Sequence, residues 1–116
     1  MDVKAWDDTK IKSGQDWDNE IEKSLKKADI SILLVSSNFL ASSYIRKKEL
    51  PQILDNVKDK GATIIPIIAR LCRYSQSPLG KYQTLNSPNT PLNKLSEHER
   101  DRIYYDLCAR IEELAK

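Results

Sequence analysis

A chain of 116 residues with 40% apolar and 31% charged side chains has the size and composition of one folded domain, too short for two and too apolar for a disordered tail. Nineteen basic and seventeen acidic residues leave a formal charge of +2, with the basic residues dispersed among acids, which argues against nucleic acid as a partner. The longest apolar runs, Ile32 to Val35 and Ile64 to Ala69, fall far short of the ~20 residues that cross a bilayer, so no membrane association is expected. MDVKAWDDTK lacks the apolar stretch of a secretory leader, and the expected location is cytoplasmic. Cys72 and Cys108 are far apart without a CxxC partner, and His98 is the single histidine, which argues against a zinc site, a Ser/His/Asp triad and a Cys/His dyad.

In chain order, Val3 to Trp6 predicts a short strand ended by Asp7 and Asp8. After Gly14, the residues Trp17, Ile21, Leu25 and Ala28 recur at helical spacing and predict an amphipathic helix closed by Asp29. ISILLV, Ile30 to Val35, is the continuous apolar run of a strand covered on both faces. Ser36, Ser37 and Asn38 supply N-cap chemistry for a helix carrying Phe39, Leu40, Ile45 and Leu50. Pro51 predicts a break or kink, followed by a fresh helical stretch through Ile53, Leu54 and Val57 that Gly61 stops. ATIIPIIA, Ala62 to Ala69, reads as a third strand, against which Pro66 stands as an objection because proline cannot donate to a ladder. Arg70 to Leu95 is a long irregular connection in which only Tyr82 to Leu85 has the makings of a short strand. Ser96 and Glu99 form a capping box for a terminal helix whose apolar face is Ile103, Leu107, Ile111 and Leu114.

The alternation of strands and helices predicts an α/β fold with a parallel sheet, since parallel neighbours need crossover connections. Ligands of such sheets bind outside the carboxyl ends of the strands, here the segments Trp6 to Trp17, Ser36 to Tyr44 and Ala69 to Ser77. With three glycines, Gly14, Gly61 and Gly80, neither GxGxxG nor a Walker A loop can be written.

WDDTKIKSGQDW, followed by EIEKSLKKADISILLVSSNFLASSYIRKKELPQIL, then IIPII, SPLGKYQTLN and PLNKLS, resembles the bacterial branch of the TIR (Toll/interleukin-1 receptor) domain family from about Ala5 to Ser96. The resemblance implies a flavodoxin-like fold, a parallel sheet with helices on both faces, and makes residues 1–116 a single, partial TIR domain. In that scheme Val3 to Trp6 is the family's second strand, Asp7 to Gln15 the loop after it, and Ile30 to Val35 the third strand; a proline in the fourth strand is usual. The family's first strand and first helix have no counterpart here. Because that strand lies between the second and third, its loss is expected to leave two inner ladder edges unpaired, in a rearranged or partner-completed sheet.

For members that are enzymes, the resemblance implies NAD+ as substrate, cleaved at the nicotinamide–ribose bond, with no metal and no cofactor. The family's glutamate in the helix after the third strand corresponds to Glu49 in KKELP. By the same resemblance Trp6 faces the nicotinamide end of the site, where an aromatic ring attracts a cation; taken alone, a tryptophan ending a strand is core. Asp7 and Asp8 are candidates for holding ribose hydroxyls and equally for turn chemistry. Ser36 is a helix cap first and a pocket residue second, and Ser42 and Tyr44 lie at the same rim. The segment Thr9, Lys10, Ile11, Lys12, Ser13 and Gly14 is the expected interaction loop, for closure or for contact with a neighbouring subunit.

Three functions follow from different classes. The first is an NAD-cleaving enzyme of the kind that acts in bacterial defence after self-association. The second is a non-catalytic module binding other TIR domains. The third, an unrelated flavodoxin-like receiver or nucleotide module, is disfavoured because a receiver needs a phosphorylatable aspartate at the end of a central strand and none follows Val35 or Ala69.

Overall fold

A computed structural model of the chain describes residues 2–6 and 29–115. The expected Asp7 to Gln15 loop, with Asp7, Asp8 and Thr9 to Gly14, and the expected helix from Trp17 to Ala28 lie outside the described residues.

Three strands, β1 (Val3–Trp6), β2 (Ile30–Val35) and β3 (Thr63–Ile68), form one parallel sheet in the order β1-β2-β3. β1 runs in register with β2 from Val3 opposite Ile30 to Trp6 opposite Leu33, and β2 with β3 from Ile30 opposite Thr63 to Val35 opposite Ile68. The ladder edges expected to stay unpaired between the first two segments therefore pair directly with each other. Direct pairing satisfies the backbone groups that a gap would strand. Asp29 ties the amino ends together: its carboxylate accepts from the Asp2 amide at 2.8 Å, and Lys60 lies 3.6 Å away. The Asp2 hydrogen bond, with help from Lys60, holds the Asp29 carboxyl below its ordinary pKa.

Side-chain alternation along β2 and β3 builds two cores. Leu33, Val35 and Ile68 join Trp6, Phe39, Ile45, Leu50 and Ile53 on one face. Ile30, Ile32, Ile65 and Ile67 form the other, covered by the partly buried Ile103, Leu107, Ile111 and Leu114 of α3 (Glu97–Ala115), the four residues that the helical spacing singles out. Each such side chain taken from water contributes roughly 1.5–3 kcal/mol. Helices thus cover both faces. The α3 start is the expected capping box, with Glu99 N–H donating to Ser96 Oγ at 3.2 Å and Ser96 N–H to Glu99 Oε1 at 3.1 Å.

Two local expectations are corrected. The helical segment after β2 breaks at Ser42, where the backbone turns extended after α1 (Ser37–Ala41), and not at Pro51. A π-helical turn, Ile45–Glu49, runs straight into α2 (Leu50–Lys60), whose first turn holds Pro51. The Leu50 amide bonds the Ile45 carbonyl five residues back, and this widened turn lets the helix pass through a residue that has no N–H to give. α2 ends at Gly61, whose φ of 69° is the left-handed conformation expected of its stop.

The strand expected over Ala62 to Ala69 is present despite Pro66, and it lies at the edge of the sheet. Residues 64, 66 and 68 turn their backbone groups away from β2, since Pro66 accepts from the Leu85 amide at 2.9 Å and the Ile68 amide bonds the Asn86 side chain. The missing N–H of Pro66 therefore falls on the outer edge and costs the β2–β3 ladder nothing. The second correction concerns Tyr82 to Leu85, which is bend and irregular chain and not strand. In place of a strand, the buried Asn86 side chain accepts from Ile68 N–H at 2.8 Å and donates to the Ile68 and Thr90 carbonyls at 3.0 Å each.

Candidate active site

The carboxyl ends of the strands, at Trp6, Val35 and Ile68, share one edge of the sheet. From it rise α1 and the π turn on one side and the loop after β3 on the other. Ser37 Oγ donates to the Leu71 carbonyl at 3.3 Å and joins the two rims.

Ser36, 7% exposed, is the N-cap of α1, its Oγ accepting from the Phe39 amide at 3.1 Å. Ser42, half-buried, plays the same part for the next helical segment, accepting from the Ile45 amide at 3.3 Å. Both serines expected at the pocket are therefore occupied as caps. Tyr44, also half-buried, packs against the core that contains Trp6.

Glu49 closes the π turn and is fully buried, at 0% exposure, while Arg46, Lys47 and Lys48 immediately before it are exposed. Its neighbours Ile45 and Leu50 belong to the same core as Trp6. Taking a carboxylate out of water costs several kcal/mol unless its charge is met, so Glu49 is not the solvated surface acid that its helical position alone suggests. π turns of this kind occur frequently at functional sites. Trp6, 3% exposed, is a member of the core and not the rim of an open cleft.

The structure thus gathers Trp6, Tyr44 and the residues flanking Glu49 around one core, and assigns Ser36 and Ser42 to helix starts. Sequence reasoning missed the π turn, the Asn86 bracket on β3 and a cleft of about 360 Å³ between the π turn and the loop after β3, lined by Ile45, Arg46, Leu50 and Arg73 but not by Glu49. The sequence carried a signal for the charge of that segment, since no aspartate or glutamate occurs from residue 62 to 96, but none for the cleft itself. Among the described residues no group of three or more His, Cys, Asp or Glu is placed to hold a metal ion, and no helix is long and apolar enough to cross a membrane.

The family model for the TIR domain matches residues 1–108. The chain is also 30% identical over 92 residues to uncharacterized protein y4lF of Sinorhizobium fredii, a stretch that is 79% of this chain and 28% of that protein. The chain thus spans under a third of the length of this relative. No solved structure matches it with significance.

Proposed function

The chain belongs to the TIR domain family, and from that premise we propose that it cleaves the nicotinamide–ribose bond of NAD+, with Glu49 as the catalytic carboxylate. The single observation that supports this most is a glutamate buried on a π-helical turn in the helix that follows β2, on the carboxyl side of the sheet.

The chemistry suits one carboxylate. Nicotinamide in NAD+ is cationic, so the electron pair of the breaking glycosidic bond neutralises the ring and the group leaves without a general acid. The positive charge that develops on the ribose is oxocarbenium-like. A fixed anion beside it stabilises that charge more in the transition state than in the ground state, and holds a ribose hydroxyl as the bond opens. Water then adds to the ribose carbon and gives up its proton, leaving ADP-ribose. The half-buried Tyr44 supplies aromatic surface near the nicotinamide end, Trp6 backs it from the core, and Asp7 and Asp8 supply hydrogen-bond partners for the ribose. In this reading the domain acts in the cytoplasm, in bacterial defence signalling, and its activity follows self-association through residues 9–14.

The full burial of Glu49 also favours a second reading, since a catalytic group must meet its substrate. In that reading the chain is a non-catalytic module that binds other TIR domains, and Glu49 is a structural carboxylate. Incubation of the purified protein with NAD+, with nicotinamide quantified over time, separates the two. Release by the wild type that is lost in Glu49→Ala is expected; absence of release from a concentrated, folded sample supports the interaction module.

A further inference from the structure

The cleft between the π turn and the loop after β3 has a built character that the NAD reading does not use. Its lining is largely apolar, with Phe39, Ile45, Leu50 and Pro78, and includes Arg46 from the π turn and Arg73 from the loop. Both arginines are exposed, and neither makes an ion pair with a described residue. Residues 36–48 contain no acid, residues 62–96 contain none, and Glu49 between them is buried. Lys47, Lys48 and Arg70 add exposed positive charge on the same two segments. A chain whose formal charge is only +2 thus sets two arginines, without an ion pair to any described residue, on one largely apolar hollow.

We propose that this cleft binds a nucleotide through its phosphate groups, with the phosphate oxygens held between Arg46 and Arg73 and the flat base against the apolar lining. Guanidinium forks match phosphate oxygens two at a time, which a lysine cannot do. A hollow of about 360 Å³ falls at the small end of ligand pockets, the size of a mononucleotide more than of a dinucleotide. Glu49 is not among its walls, so the site stands or falls apart from NAD+ cleavage.

Titration calorimetry with ADP as the probe tests it, with adenosine, inorganic phosphate and anionic phospholipid vesicles as parallel arms. ADP is expected to bind saturably and more tightly than adenosine or phosphate alone. Arg46→Gln and Arg73→Gln should each weaken it about tenfold, as loss of a charged hydrogen-bonding partner does, and circular dichroism should report the fold unchanged because both side chains are exposed. The proposal is overturned if ADP does not bind, if its affinity is indifferent to both arginine substitutions, or if the arginines matter only for binding to vesicles.

Discussion

At the scale of single residues, two buried polar groups decide more than their neighbours. Asn86 satisfies both the amide and the carbonyl of Ile68 at the outer edge of β3, a strand's work done by one side chain. Asn86→Ala strands those groups in a buried setting and should cost about 2–4 kcal/mol in chemical denaturation. Nothing in NSPNT separates this asparagine from an ordinary turn residue, because its partner lies 18 positions away. Tyr74, almost fully buried, donates its hydroxyl to the Tyr82 carbonyl at 2.7 Å, and burial pushes its pKa from 10.0 up to about 12. Its neutral form is the one the fold favours. The stability it contributes is therefore complete below pH 10.0 and is lost as pH rises through about 12. Denaturant midpoints followed across that window should fall more steeply for the wild type than for Tyr74→Phe; parallel curves would show that the hydroxyl has no such role.

At the scale of elements, ISILLV was legible as a strand because a run covered on both faces needs no alternation, and the capping box at Ser96 was legible because both partners lie within one turn. The objection raised by Pro66 is answered by geometry: sequence shows that an N–H is missing, and only the fold shows that it is missing from the outer edge of β3. The Ser42 break was likewise hidden, since SS recurs at 36–37 and 42–43 and only packing selects the cap. The glycines divide by the same logic of surroundings. Gly61→Ala meets open space and suffers only the left-handed backbone, about 1–2 kcal/mol. Gly80→Ala drives a methyl group into the Ser75 carbonyl, which is backbone and cannot swing aside. Denaturant midpoints should therefore drop further for Gly80→Ala than for Gly61→Ala, and the reverse order would contradict the packing described for the loop.

At the scale of the whole molecule, three parallel strands carry one core under α1, the π turn and α2 and another under α3, and all that bears on function converges on the carboxyl edge between them. Family membership could be read from linked motifs, which also single out Glu49 as a candidate, but the burial of that glutamate could not, because the turn that buries it is an irregularity of the helix and not a pattern of residues. The basic rim was overlooked for a similar reason: its arginines stand 27 positions apart in sequence, and only the fold brings positions 46 and 73 to one cleft. The central claim rests on Glu49. The most direct measurement is nicotinamide release from NAD+ by wild type and by Glu49→Gln, which keeps the shape of the side chain and removes its charge. A loss of at least about a hundredfold in a variant that keeps its circular dichroism spectrum is the predicted result, the scale of losing one preorganised electrostatic group. Release that continues at the wild-type rate in the folded variant would contradict it.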